Sequence, residues 1–227
     1  MCGRFTITVS LDELKEYLHD YYEIDEMKSE IVVPRYNVSP GQEIISIIND
    51  GSKNRVGLLK WGFVPSFAKD EKIGYSMINA KSETLEQKVS YKQSFETKRC
   101  VILADGFYEW KKDNNHKQPM RILMKDQSIF PIAGLWTTYV KPDGSKLHST
   151  TIITTQANDL VSSIHDRMPV ILTDETRKTW LNPRIHDLRL LSSILKPYEP
   201  DKMTAYPVSS LVNSSINELK ECIEPLM

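Results

Sequence analysis

The chain has 227 residues, of which 40% are hydrophobic and 26% charged, and 29 basic side chains balance 30 acidic ones to a net charge of −1. This is the composition of an ordinary globular protein, and the charge gives no electrostatic argument for or against nucleic acid. The sequence shows no apolar run long enough for a membrane span and no secretion signal, and its three cysteines are far apart. We therefore expect a cytoplasmic protein without disulfides.

The first predicted element is a helix from residue 11 to about residue 19. Ser10 and Glu13 form a capping-box pattern, and the leucines that follow have helical spacing. Cys2 then lies on an extended arm before this helix. Residues 20–35 are polar, and the two prolines and the glycine within 34–41 predict an ordered loop.

A strand, a turn and a second strand are predicted next, over 44–48 and 56–62, because Asp50-Gly51 is a favourable turn pair. Other stretches rich in β-branched or aromatic residues predict strands at 100–110, 119–124, 129–139, 150–155 and 168–172. Short helices are expected at 158–164 and after Thr173. The order of elements predicts an α+β fold, with a mostly antiparallel, partly closed, barrel-like β core decorated by short helices, and residues 1–227 in a single domain.

Cys2 has a chemical option that no internal cysteine has. Removal of Met1 would put an α-amine and a thiol on the same residue. An α-amine has a pKa of about 8, against about 10.4 for lysine, so it is the readier nucleophile near neutral pH. With an aldehyde it forms a Schiff base, which the thiol can close to a thiazolidine ring. A cysteine at this position can equally be incidental.

Two further motifs contain candidate functional residues. Asn79 lies next but one to Lys81, a pairing of amide and cation that suits a sugar or a phosphate, although such a pattern is also common in turns. Glu109 lies between Tyr108 and Trp110, where burial would raise its pKa toward that of a general acid or base. For that reason Glu109 is preferred to Asp105, with an exposed acid as the alternative.

His165 and Arg167 form a third candidate cluster, together with Asp166. A histidine can move protons near neutral pH and an arginine can bind a phosphate, whereas a lone histidine is more often structural. No cysteine or histidine pairs occur at metal-binding spacings. We expect no metal and no cofactor.

Several of these motifs, taken in order, closely resemble the SOS response-associated peptidase family, also called abasic-site processing proteins. They are Met1-Cys2-Gly3-Arg4-Phe5, Arg35-Tyr36-Asn37-Val38-Ser39-Pro40, Trp61-Gly62, the segment 78–84, the segment 105–110 and His165-Asp166-Arg167-Met168-Pro169. The resemblance extends to Tyr206-Pro207-Val208-Ser209. Each motif is modest alone, but their common order is very specific.

The resemblance implies a β-rich domain with a positively charged cleft for single-stranded DNA. It also implies a thiazolidine cross-link between Cys2 and the ring-opened aldehyde of an abasic site. Asn79 would orient the α-amine or the sugar, Glu109 would move protons during ring opening and Schiff-base formation, and His165 would assist proton transfer and reversal of the link. Autopeptidase activity that exposes Cys2 and lyase activity at abasic sites are implied as well.

The same resemblance assigns a DNA-binding surface. The residues expected to face phosphates are Arg4, Lys81, Thr154 and Arg167, and those expected to shape the cleft or stack on bases are Trp61 and Phe67. Two positions depart from the family pattern. Lys81 replaces the usual arginine and loses its bidentate fork, and Phe67-Ala68 retains one aromatic where relatives often have two tryptophans.

Together with the chemistry available to Cys2, the resemblance implies a sensor and shield of abasic sites in single-stranded DNA, with junctions between single and double strands as a candidate location. The protein is expected to act as a monomer, without membrane contact, in the cytoplasm and on the nucleoid when it is bound to DNA. Two alternatives remain open. One is an N-terminal-nucleophile hydrolase that uses the Cys2 thiolate on peptides or amides, and the other is a non-catalytic single-strand-binding module.

Overall fold

The computed structural model describes residues 2–27, 30–113 and 116–226. In the described residues the strands, numbered β1 to β12, are Phe5–Ile7, Arg35–Val38, Glu43–Asn49, Asn54–Trp61, Asn79–Lys81, Arg99–Ala104, Gly106–Asp113, His116–Met124, Phe130–Val140, Lys146–Gln156, Arg167–Pro169 and Met203–Pro207. The α-helices, α1 to α5, are Leu11–Tyr22, Val89–Thr97, Asp159–Ser162, Asp174–Leu181 and Leu188–Ser193. Short 3₁₀ helices are Glu71–Ser76, Ser82–Thr84, Pro200–Lys202, Ser210–Asn213 and Lys220–Cys222.

Five strands close into a barrel in the order β10-β4-β3-β6-β9 and back to β10. The pairing of β4 with β10 is parallel, and the other pairings around the barrel are antiparallel. The short strands β5 and β11 also pair with β10. A second, antiparallel sheet has the order β12-β8-β7-β1-β2. The predicted α+β class and mostly antiparallel, barrel-like core are therefore confirmed, and the barrel, predicted to be partly closed, is fully closed.

Helix α1 forms where the sequence predicts it. The Glu13 backbone N–H donates to Ser10 Oγ at 3.2 Å, and Glu13 Oε2 accepts from the Ser10 N–H at 2.7 Å. These reciprocal bonds satisfy two amide groups that have no partner inside the helix. Leu14 and Leu18 are buried, which fixes the helix against the core. The helix ends at Tyr22, three residues beyond the predicted end.

Two local predictions were wrong. Residues 100–110 are not one strand, because β6 ends at Ala104 in the barrel and β7 begins at Gly106 in the other sheet. Asp105 lies between them, and its buried carboxylate accepts from the Thr6 hydroxyl at 2.5 Å. The loop predicted over 34–41 contains β2, which pairs with β1. Both errors arise because a distant partner, the N-terminal arm, determines the local structure.

The apolar core consists mainly of two clusters that share the barrel strands. Side chains alternate between the faces of a strand, so Val101 and Leu103 enter one cluster while Ile102 enters the other. The first cluster includes apolar residues of the helices. The second receives side chains from both sheets and contains Cys2. None of the described helices is long and apolar enough to cross a membrane.

Candidate active site

The backbone of Cys2 is held by the side chain of Asn79. Asn79 Nδ2 donates to the Cys2 carbonyl oxygen at 2.8 Å. Asn79 begins β5, which pairs in parallel with Ile152 and its neighbours in β10. The indole N–H of Trp61 donates to the carbonyl of Ile78 at 2.9 Å and fixes the residue before Asn79. The Asn79 amide is thus positioned by the barrel itself.

The pairing of β1 with β7 brings Glu109 to the same place. Phe5 lies opposite Phe107, and the Tyr108 N–H donates to the Arg4 carbonyl at 2.9 Å. Continuation of this antiparallel register places the residues before Phe5 alongside Glu109. Glu109 is almost entirely buried, and its carboxylate contributes to raising the pKa of the Cys2 thiol. The two groups therefore interact electrostatically.

His165, three residues after the end of α3, completes the cluster. Its Nε2 lies 3.8 Å from Glu109 Oε2. The backbone N–H of Arg167 donates to His165 Nδ1 at 3.0 Å, which leaves Nε2 as the nitrogen that faces Glu109. The exposed carboxylate of Asp166 lies 2.9 Å from Nδ1. The structure thus brings together Cys2, Asn79, Glu109 and His165.

Burial determines how these groups titrate. It raises the pKa of Glu109 from its ordinary 4.5 to about 7. Burial also lowers the pKa of His165 below its ordinary 6.5, against the opposing effect of Asp166. For the Cys2 thiol, burial first and then the Glu109 charge raise the pKa well above its usual range. At neutral pH the thiol is protonated and Glu109 populates both of its forms.

Among the described residues, no group of three or more histidine, cysteine, aspartate or glutamate side chains could hold a metal ion. The cysteines Cys2, Cys100 and Cys222 are buried and unpaired with one another.

The guanidinium of Arg167 forms a bidentate ion pair with Glu83, with Nη1 2.7 Å from Oε1 and Nη2 2.9 Å from Oε2. Arg167 Nη2 also donates to the Thr154 carbonyl at 2.7 Å. Thr154 itself is fully buried and has no surface to offer a phosphate. In this structure Thr154 is not accessible to DNA, and its carbonyl instead accepts a hydrogen bond from Arg167.

The two predicted aromatic residues have opposite environments. Trp61 is completely buried and packs against Phe5 with ring centroids 5.3 Å apart, so it cannot stack on a base. Phe67 is 62% exposed. Lys81 is also exposed, at the end of β5. Stacking by Trp61 is thus excluded, whereas Phe67 and Lys81 are accessible to a ligand.

Arg4 points toward protein atoms. Its Nη1 donates to Asn37 Oδ1 at 2.7 Å and to the Val212 carbonyl at 2.8 Å, and its Nη2 lies 3.4 Å from the Asn213 carbonyl. The contact between Arg4 and a phosphate remains a prediction.

Two residues of this region were not singled out in the sequence. Glu83 and Asn37 both lie inside motifs that carry the family resemblance. Their partners, Arg167 and Arg4, were singled out as cations for DNA. The sequence does place Glu83 and Asn37 inside the motifs of the resemblance. Only the fold shows that Glu83 pairs with Arg167 and that Asn37 accepts from Arg4.

A model of the family described as SOS response associated peptidase (SRAP) matches residues 1–215 of the chain. The chain is 52% identical over 226 residues to the abasic site processing protein YoqW of Bacillus subtilis, with 99% of both chains covered. It is 30% identical over 270 residues to the abasic site processing protein HMCES of Xenopus tropicalis, covering all of this chain and 79% of that one. A crystal structure of a Bacteroides thetaiotaomicron protein, 27% identical, matches with a TM-score of 0.87 over 99% of this chain and all of the other.

Proposed function

Because the chain belongs to the SOS response-associated peptidase family, we propose that it processes abasic sites in DNA by forming a covalent bond between Cys2 and the abasic aldehyde. The observation that carries this proposal is the convergence of the buried Cys2 and Glu109 with the partly buried Asn79 and His165 in one cluster. The relatives YoqW and HMCES are named for abasic-site processing, which supports the same substrate for this chain. The resemblance seen in the sequence is thereby confirmed at the level of the family.

The proposed reaction needs no oxidant or reductant. Removal of Met1, which lies outside the described residues, frees the α-amine of Cys2. The amine nitrogen attacks C1 of the ring-opened sugar, and the carbinolamine loses the aldehyde oxygen as water to give an imine. The thiol sulfur then adds to the imine carbon while its proton moves to nitrogen. One C–N and one C–S bond form, and one water leaves.

The titration of the cluster supports this order of steps. A thiol with a raised pKa is a poor first nucleophile, so the amine attacks before the sulfur. Glu109, whose pKa is raised to about 7 by burial, can both accept and donate a proton near neutral pH. We assign to it the proton transfers of ring opening and dehydration. His165 Nε2 faces Glu109 and serves as its exchange partner, including for reversal of the link.

Asn79 has one side-chain atom still available for the substrate. Its Nδ2 is bonded to the Cys2 carbonyl, whereas its buried Oδ1 accepts no hydrogen bond from the described residues. A buried acceptor without a donor is costly, so this oxygen suits the α-amine or a sugar hydroxyl. We propose that Asn79 orients one of these groups toward the aldehyde carbon.

The DNA strand is proposed to run past Lys81, Arg167 and Phe67. Lys81 and Phe67 are exposed, and they offer a cation for phosphate and a ring for base stacking. The proposed partner is single-stranded DNA, including junctions with double strands, bound by a monomer in the cytoplasm. The finer activities, autopeptidase removal of Met1 and lyase chemistry through the imine, belong to the same proposal.

The alternative of a hydrolase that turns over peptides or amides through a Cys2 thiolate is less well supported. That reading needs a thiolate at Cys2, and burial raises the pKa of this thiol. The non-catalytic alternative leaves a buried Glu109 beside Cys2 without a role.

The test uses protein whose Met1 is verified absent by mass spectrometry, mixed with single-stranded DNA carrying one abasic site. We expect a heat-stable adduct with the mass of protein plus DNA minus one water. Cys2→Ala retains the α-amine but no thiol, so it should give no stable adduct while borohydride still traps an imine. Cys100→Ala, which removes another buried thiol, should cross-link normally. Undiminished cross-linking by Cys2→Ala would exclude the proposed ring.

A further inference from the structure

The fully buried side chain of Asn37 joins β2 to the C-terminal part of the chain. Its Nδ2 donates to the carbonyl oxygens of Asn217 at 2.7 Å and Ser214 at 2.9 Å, and lies 3.4 Å from that of Val212. We call residues 210–218 the C-terminal clamp. One amide group thus contacts three backbone carbonyls of a segment that has no strand pairing of its own in residues 210–218.

The clamp is fastened a second time by Glu218. Its Oε1 accepts from the backbone N–H of Asn37 at 2.9 Å and from that of Tyr36, and its Oε2 lies 3.3 Å from Arg35 Nη2. A carboxylate that accepts several N–H groups is held in a defined geometry. The clamp is therefore fixed relative to β2.

Arg4 connects this assembly to the residue that reacts. It lies two positions after Cys2, and both hydrogens of its Nη1 are taken by Asn37 Oδ1 at 2.7 Å and the Val212 carbonyl at 2.8 Å. Its own carbonyl accepts from Tyr108 at 2.9 Å. Together with the bond from Asn79 to the Cys2 carbonyl, these contacts anchor residues 2–4 on three sides.

We propose that Arg4 and Asn37 are positioning residues, which use the C-terminal clamp to hold Cys2 against Glu109, and that Arg4 is not a phosphate ligand. This inference rests on the proposed function for its catalytic consequence. The short hydrogen bonds of the Arg4 guanidinium run from Nη1 to two neutral protein acceptors, so this end of the side chain is directed at the C-terminal clamp, although its positive charge is retained. A small displacement of a reacting group can lower a rate about a hundredfold. Arg4, Asn37 and the C-terminal clamp therefore affect the rate of reaction and not the affinity for DNA.

The first experiment separates rate from affinity. Dissociation constants are measured on single-stranded DNA with a tetrahydrofuran abasic analogue, which has no aldehyde, over a series of salt concentrations. Cross-linking rates are measured at saturating abasic DNA. For Arg4→Ala, Arg4→Lys and Asn37→Ala we expect rates lower by about tenfold or more, with unchanged affinity and salt slope. The double variant Arg4→Ala/Asn37→Ala should be no slower than the slower single variant, because both substitutions break the same connection between Arg4 and the C-terminal clamp.

Lys81→Ala provides the comparison for a phosphate contact, with weaker binding and a salt slope smaller by about one. The same pattern in Arg4→Ala, with its rate at saturation intact, would overturn the proposal. So would independent, multiplying losses in the double variant.

A second readout does not depend on DNA. The rates at which a thiol reagent alkylates Cys2 and Cys100 are compared by peptide mass spectrometry in the free protein. Both thiols are fully buried. Substitution of Arg4 or Asn37 should accelerate alkylation of Cys2 by about tenfold or more while Cys100 stays protected. Global unfolding would instead expose both thiols. If wild-type protein forms no DNA adduct, the proposed function fails, and this ratio still decides whether Arg4 and Asn37 hold Cys2. An unchanged ratio in Arg4→Lys and Arg4→Ala would refute the inference.

Discussion

Glu83 occupies the guanidinium fork of Arg167 with both of its carboxylate oxygens, at 2.7 and 2.9 Å. The hydrogen bond from Arg167 lowers the pKa of Glu83, so the pair is charged at neutral pH. A DNA phosphate has the same charge and a similar spacing of acceptor oxygens as a carboxylate. To bind Arg167 through this fork, a phosphate must displace Glu83.

Glu83→Gln should therefore strengthen binding of single-stranded DNA, by about threefold to tenfold at low salt, because it frees the fork and removes a negative charge. The measurement is a dissociation constant at several salt concentrations. Glu86→Gln is the matched control, since Glu83 and Glu86 line one surface cavity but the Glu86 carboxylate accepts from Ser192 instead of Arg167. Equal gains in both variants would show an effect of net charge alone, and a loss in Glu83→Gln would mean that Glu83 orients Arg167 for DNA.

Replacement of Glu109 by Gln should slow cross-linking by about a hundredfold or more at saturating DNA, because the proton-transfer group is lost. Binding of the tetrahydrofuran analogue should change little. The rate of the wild type should show an inflection near pH 7, where Glu109 titrates, and the variant should lack it. Equal losses of DNA affinity and of cross-linking rate would show that Glu109 is not a proton-transfer group in the reaction.

The same substitution should stabilise the fold at alkaline pH. Burial raises the pKa of Glu109 from 4.5 to about 7, so the folded state binds the proton more tightly than the unfolded state. Ionisation consequently lowers the free energy of unfolding as pH rises from about 4.5 to 7, by up to about 3 kcal/mol, and the loss is constant above that range. Thermal melts of Glu109→Gln and wild type should differ most at pH 8 and converge near pH 4. A difference independent of pH would contradict this origin.

Phe67→Ala should weaken DNA binding by about 1–2 kcal/mol if the exposed ring stacks on one base. Phe67→Trp should retain or improve it. Val89→Ala, another exposed apolar residue, serves as the control for loss of surface area. Fluorescence anisotropy with an unmodified single strand is sufficient, and an unaffected Phe67→Ala would place the strand elsewhere.

Asp105→Asn should destabilise the protein by about 3–5 kcal/mol, because it leaves the buried guanidinium of Arg121 without its anion. Asp105 Oδ1 lies 3.3 Å from Arg121 Nη2 and also accepts from Thr6 in the arm that carries Cys2. Asp12→Asn removes an exposed ion pair with Lys15 and should cost less than about 1 kcal/mol. Urea unfolding of the two variants gives the comparison, and similar costs would show that the buried pair is replaceable.

Local chemistry was sufficient to predict the elements whose signals lie in adjacent residues. The capping box of α1 is an example, because Ser10 and Glu13 satisfy each other within one turn. Strand β2 was missed because its partner, β1, lies about thirty residues away and gives it no local signal. The boundary between β6 and β7 was missed for the same reason, since Thr6 and Arg121 engage Asp105 only in the fold.

The site follows the same division. The chemical character of Cys2, Glu109 and His165 could be predicted from the residues and the family resemblance. Which residues are accessible could not be predicted, and Trp61 and Thr154 proved to be buried while Phe67 is exposed. Accessibility depends on which face of a strand meets the second sheet, and that is set by pairings such as β5 with β10.

The complete burial of the Cys2 thiol has a consequence for the life of the protein between encounters with damage. Oxidants and alkylating metabolites react with the thiolate, and burial keeps this sulfur in its protonated form. We expect the Cys2 thiol of the resting protein to survive oxidative conditions unmodified. Oxidants and alkylating agents also cause loss of bases from DNA, so the protein would keep a reactive Cys2 under the same conditions that create its proposed substrate.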